Sequence, residues 1–167
     1  MVEYLRIRAL IGTLALAASG GLLLPTVTHA AHSRTSPSSD KRILLAIVNR
    51  DRASHGLLPL RLNSLLTHVA LLHSKDMAAH DYFAHEGEDG STPFSRMDRA
   101  GARYRYAGEN LGTDTGSNQI AMLEAIETAM LQSPGHRANL LRATFTRVGV
   151  GIVTTPDSIY VTEDFAG

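Results

Sequence analysis

The apolar residues of this chain change their spacing once, and that change limits the folds open to it. Ile43, Leu44, Ile47 and Val48 recur at the 3.6-residue period of a single helix face. Leu65, Leu66, Val69, Leu72, His73 and Met77 repeat the pattern, which predicts a second helix with those residues inward. A third long helix is expected from about Gln119 to Leu131. Only near the C-terminus does the pattern become β. Val148-Gly149-Val150-Gly151-Ile152-Val153 and Ile159-Tyr160-Val161-Thr162 flank a Pro156-Asp157 turn, the signature of an antiparallel hairpin. Helices first and strands last indicate an α+β fold rather than βαβ repeats.

Start and stop signals divide the helical part. Asp40 suits the N-cap of a helix running from Lys41 to about Ser54, with Gly56 ending it. Asn63 caps the second helix, which reaches about His80. Ser91 or Thr92 caps a short helix opened by Pro93 and ended by Gly101. Ser133 and Pro134 start another that continues through Leu141, with Ser133 as its N-cap. Leu57–Leu62 reads as a connector and Gly112–Asn118 as a polar loop. Met77, Met97, Met122 and Met130 are expected as core fillers.

Residues 1–30 have a different character. Arg6 and Arg8 precede an uncharged run from Ala9 to Leu24, and Thr28 and Ala30 are small residues placed for a signal peptidase. The run is shorter than the ~20 residues of a spanning helix and is broken at Gly20-Gly21. The expected organisation is a signal peptide at 1–30, a small, polar, disordered leader at 31–39 and one domain at 40–167. Such a chain is secreted, extracellular or periplasmic, and keeps no membrane span after cleavage.

Composition removes several function classes. The 16 basic and 16 acidic residues balance, against the basic surplus that nucleic-acid binding draws on. Cysteine is absent, which removes disulfides, thiolate metal sites and a Cys nucleophile. There is no G-x-S-x-G, and Val148-Gly149-Val150-Gly151 lacks the third Gly and the Lys of phosphate-binding loops.

Three residues could carry chemistry. His85 precedes the acidic, glycine-rich stretch Glu86–Gly90. His136 lies in the first turn of a helix, where the dipole favours a neutral imidazole. Glu109 sits between Gly108 and Asn110 at the entry to a strand. Two imidazoles and a carboxylate make a divalent-metal site if the fold brings them together. If it does not, each histidine is a hydrogen-bonded surface or capping residue. Glu86, Glu88 and Asp89 offer a second carboxylate cluster, or a solvated turn without EF-hand spacing. His73 is expected in the core, and His55, His68 and His80 on helix surfaces.

LLAIVNRDRASHGLLPLRLNSLL (44–66), HSKDMAAHDYFAHEGEDGSTPFSRM (73–97), YAGENL (106–111), SPGHRANLL (133–141) and VGVGI (148–152) together resemble the CAP superfamily, the SCP-like extracellular domain, in its compact bacterial form. The resemblance covers about residues 41–165. It implies a three-layer α-β-α sandwich with a small antiparallel sheet and a cleft lined by two His and usually two Glu. By motif these are His85, His136 and Glu109. The second Glu does not carry over, because the matching stretch reads Met130-Leu131-Gln132-Ser133. In several members such residues hold a divalent cation such as zinc.

Three functions follow as expectations. The first is a secreted binding domain whose cleft holds a lipid, peptide or cell-wall fragment. The second is a metal-dependent hydrolase, with His85 and His136 on the cation and Glu109 ligating it or activating water. The third is a structural envelope protein. Binding ranks first, because the sequence shows neither an activated nucleophile nor an unambiguous metal-bound water.

Overall fold

The computed structural model describes residues 4–6 and 37–167. The predicted signal peptide therefore lies outside the described residues apart from strand β1, Tyr4–Arg6. The elements that follow are α1 (Pro37–Ser54), β2 (Arg61–Leu62), α2 (Ser64–His80), α3 (Pro93–Arg99), β3 (Ala107–Asp114), α4 (Gln119–Gln132), α5 (Pro134–Leu140), β4 (Arg147–Thr154) and β5 (Ile159–Ala166). The sheet order is β1-β3-β5-β4-β2. The long strands β3, β5 and β4 are antiparallel, and the two short edge strands pair parallel to their neighbours. Cleavage after Ala30 would leave β3 as one edge.

Strand alternation sends successive side chains to opposite layers. Gly108, Asn110 and Gly112 of β3 face α4 and α5, as do Glu163 and Phe165 of β5. Glu109 and Leu111, with Asp164 and Thr162 opposite them, face α2 and α3. The layers are thus α2 and α3, the sheet, then α1, α4 and α5. The larger core lies in the second interface. There Leu44, Ile47, Val48, Leu123, Ile126 and Met130 pack on Val148, Val150, Val161 and Phe165.

Two glycines set the spacing of the other interface. A Cβ on Gly149 would lie 2.1 Å from the Leu66 carbonyl carbon, and one on Gly151 would lie 2.3 Å from that of Ala70. The VGVGI run therefore lets the backbone of α2 rest directly on β4. Arg52 fastens α1 to α5 and the segment that follows it in the same layer. It is 1% exposed and donates to the carbonyls of Leu58, Leu140, Arg142 and Phe145. The Leu140 and Arg142 carbonyls stand at the C-terminal end of α5, where a cation is favoured. Burial lowers the Arg52 pKa from its ordinary value.

Four local expectations are corrected. Helix α1 starts at Pro37, inside the stretch read as polar leader, so Asp40 lies in its first turn and does not cap it. Asp40 is buried and accepts from Gln119 Nε2 at 2.8 Å, tying α1 to α4. Gly112–Asp114 continue β3, because Gly112 fits beneath Ile126 and Met130. Leu65 and Leu72 are 37% and 52% exposed, and the inward face of α2 uses Leu66, Val69, Ala70, His73, Ser74 and Met77. Ser133 caps α5 without a side-chain bond to the helix backbone. The Asn63 cap, Pro93 at the start of α3 and the β4–β5 hairpin form as predicted, and of the two caps offered for α3 it is Thr92 that serves, in a capping box with Ser95.

Gly149→Ala and Gly151→Ala should each destabilise the protein by about 1–3 kcal/mol or more, since the added methyl meets backbone and not a movable side-chain end. Urea melts check this. Unchanged midpoints would contradict the direct seating of α2 on β4.

Candidate functional site

The site is built outward from the end of α2. Asp81 adopts a left-handed conformation, φ 52°, and its N–H caps the helix at the Met77 carbonyl. That turn sends Phe83 back against Met77 and Leu111. His73, 3% exposed, donates from Nε2 to the Ala84 carbonyl at 2.9 Å. Burial first, and Arg96 second, push its pKa down to about 4, so the ring is neutral and Nε2 carries the proton. The core histidine expected from sequence thus fixes the backbone that presents His85.

His85 and Glu109 meet beneath this turn. Both are nearly inaccessible, and His85 Nδ1 lies 2.8 Å from Glu109 Oε1. The other carboxylate oxygen accepts from Arg96 Nη2 at 2.7 Å. Arg96 also donates through Nη1 to the His85 and Ser91 carbonyls, each at 2.9 Å. One guanidinium from α3 therefore holds the loop and the buried carboxylate together. Burial raises the Glu109 pKa to about 7, with Arg96 opposing the rise. Asp164, opposite Glu109 in the β3–β5 register, is pushed well above the carboxylate range by burial and by Glu109.

His136 belongs to the other layer. Its Nδ1 lies 2.9 Å from the Ser133 hydroxyl, which makes no side-chain bond to the helix backbone. Its carbonyl accepts from Asn110 Nδ2 at 3.3 Å. Asn110 also reaches Glu163 Oε2 at 3.4 Å, and Asn139 donates to the Asn110 side chain and the Glu109 carbonyl. Glu163 is pushed up to about 8 by burial, and Glu127 of α4 well above its ordinary range by burial and then by Glu163.

Of the three residues picked from sequence, the fold joins His85 to Glu109. Among the described residues, no group of three or more His, Asp or Glu side chains is arranged to hold a metal. Both Glu109 oxygens are taken, one by a cation. The other lies against the His85 imidazole, which a carboxylate so placed orients. Glu86, Glu88 and Asp89 are exposed, and Asp89 caps its own turn through the Ser91 N–H. Sequence reasoning missed Arg96 and the buried acids Glu127, Glu163 and Asp164. The alternation around Glu109 could have marked Asn110 as facing the other layer, but nothing in the spacing marks Arg96.

Next to Arg96 a groove of about 720 Å³ opens between α2, α3 and the 88–91 loop. Leu65, Val69 and Leu72 line one stretch of it, and Asp76, His80 and Glu88 another. No helix among the described residues is long and apolar enough to cross a membrane.

Comparison with known proteins agrees with this architecture. Residues 45–165 match the CAP, cysteine-rich secretory protein, family. The chain is 33% identical over 133 residues to the YkwD protein of Bacillus subtilis (strain 168), covering 80% of this chain and 49% of that protein. It thus spans about half the length of that relative. An extracellular protein containing an SCP domain from Bacillus anthracis superposes with a TM-score of 0.64 at 30% identity, over 80% of this chain and 44% of that one. An outer surface protein of Borrelia burgdorferi shares the fold with a TM-score of 0.68 at 22% identity, over 79% of this chain and 95% of that one.

The raised carboxyl groups make stability depend on pH. A carboxyl whose folded pKa lies above its unfolded value stabilises fully below the unfolded value and loses that contribution as pH rises through the folded one. For Glu109 and Glu163 the loss runs from about 4.5 through about 7 and about 8. His73, lowered to about 4, acts oppositely: its contribution is lost as pH falls from about 6.5. Four raised carboxyls outnumber one lowered imidazole. Thermal melts should therefore show lower Tm at pH 9 than at pH 5, with a shallower fall in Glu163→Gln. A Tm that rises over this range would contradict the assignment.

Proposed function

We propose, from the premise that the chain belongs to the CAP, cysteine-rich secretory protein, family, that it is a binding domain working outside the cytoplasm. It would hold a peptide, lipid or cell-wall fragment at the face organised by His85 and Glu109. The observation that carries this reading is the engagement of both Glu109 oxygens. A carboxylate bonded to a guanidinium on one side and an imidazole on the other is a poor base and a poor ligand. It is well suited to holding His85 in one orientation. The relative from Bacillus anthracis, described as extracellular, supports the location.

What His85 can offer follows from its bond. When Nδ1 donates to Glu109, the neutral ring carries its lone pair on Nε2 and accepts a hydrogen bond there. His73 and Arg96 keep the loop from relaxing, so the polar group is preorganised.

A second reading rests on the same bond. A histidine fixed through Nδ1 by a carboxylate is the usual form of a metal-binding imidazole. In that reading His85 and His136 would hold a cation such as zinc, and a bound cation would supply Lewis acidity for hydrolysis.

The purified protein and its His85→Ala variant should be incubated with solubilised cell-wall fragments, lipid vesicles and a peptide library. Retention of at least one class, without change in its mass and lost in the variant, is the expected result. Cleaved products would favour the hydrolase. Calorimetric titration with zinc separates the readings further. Tight binding abolished in His85→Ala/His136→Ala would support the metal site, and no heat with the wild type would leave a metal-free domain.

A further inference from the structure

We infer that the groove between α2 and α3 is a seat for an extended peptide segment, apolar at one end and cationic at the other. The inference rests on the binding reading above and adds where the ligand lies and what it is. Leu65, Val69, Leu72, Asp76 and His80 follow one another at three- and four-residue steps and all line the groove. They form a single stripe along α2, with Val69 buried at its inner margin and the two leucines exposed. From position 65 to position 80 the helix rises about 22 Å, the length of some six or seven residues of extended chain.

The stripe is graded. Leu72 is 52% exposed and Leu65 37%, unusual exposure for two leucines one side of which is already flanked by the helix α3 wall. Past Leu72 the lining turns acidic, with Asp76 on the helix and Glu88 and Asp89 on the facing loop. The cations nearby do not balance these groups. Arg96 is committed to Glu109 and to two carbonyls. Arg99 approaches Asp89 only at 3.7 Å, with both side chains mostly in water, which is a weak pairing. Asp76 accepts from the Tyr82 hydroxyl and pairs with His80. Among the described residues no ion pair engages Glu88. An incoming Lys or Arg side chain, or an amine, would complete this end.

The dimensions favour a peptide over a lipid. The apolar part, from Leu65 to Leu72, covers about 10 Å, less than the ~15 Å of one bilayer leaflet, and the groove lies open to water along its acidic part. An acyl chain would leave much of its length unshielded. Two or three apolar side chains of a peptide would not.

The test is calorimetric titration of the purified protein with the heptapeptide acetyl-Leu-Ala-Leu-Ser-Lys-Ala-Lys amide and with the same peptide carrying Glu in place of both Lys. The wild type should bind the Lys peptide at least tenfold more tightly than the Glu peptide, with affinity falling as salt is raised. Glu88→Arg should reduce or reverse that preference, and Leu72→Ser should weaken both peptides severalfold. Both positions are exposed, so unchanged Tm values certify the fold of each variant. Failure of the wild type to bind the Lys peptide would overturn the groove assignment while leaving the wider panel of fragments to decide the binding reading. Binding that persists in Glu88→Arg and Leu72→Ser but disappears in His85→Ala would also overturn it, and would keep the ligand at His85.

Discussion

Glu109 is a charge-bearing group placed in the middle of a sheet and closed off from water, and much of the surrounding architecture answers to that. A carboxylate in such a place is strongly destabilising unless it is paired and hydrogen-bonded. Arg96 and His85 supply the partners from α3 and from the turn after α2. In doing so they draw the 81–92 segment down onto the sheet. Arg96 donates through Nη1 to the carbonyls of His85 and Ser91, so the group that neutralises Glu109 also closes the loop over it.

The same strand serves the opposite layer one residue later. Gly108 leaves room for Asn139 and Phe145, since a Cβ there would lie 2.8 Å from Asn139 Oδ1. Asn110 then points away from Glu109 and joins the His136 carbonyl to Glu163. Asn139 returns a bond to the Glu109 carbonyl and another to Asn110. The Gly-Glu-Asn run and the helix carrying His136 are therefore mechanically linked through the sheet.

How much of this was legible in the sequence depends on the range of the interactions involved. Asn63, Thr92 with Ser95, Pro93 and the Pro156-Asp157 hairpin are local, and their side chains act within a few residues. His85 and Glu109 were legible through the motifs that contain them. Arg96 was not, because its meaning lies in three acceptors on two separate segments. Leu65 and Leu72 misled for a related reason: helical period locates a stripe of apolar residues but not which side of it the sheet covers. Asp40 looked like a cap because Asp often is one, whereas its carboxylate is used by Gln119 from a helix nearly eighty residues away. The exposed leucines of α2 and the cap of α5, where Ser133 bonds His136 and not the helix backbone, are the places where local rules failed.

The central claim is that Glu109 is held by Arg96 as one buried unit rather than kept available for metal or base chemistry. A double-mutant cycle with Arg96→Met and Glu109→Gln, read by urea denaturation at pH 8, above the Glu109 pKa of about 7, tests it most directly. Arg96→Met alone should cost about 3–5 kcal/mol, because it leaves a buried carboxylate without its cation. The double variant should cost markedly less than the sum of the two singles, with a coupling of at least ~1.5 kcal/mol. Additive losses, within about 0.5 kcal/mol, would mean that the two groups stabilise the protein independently, and would return Glu109 to the pool of candidate ligands and bases.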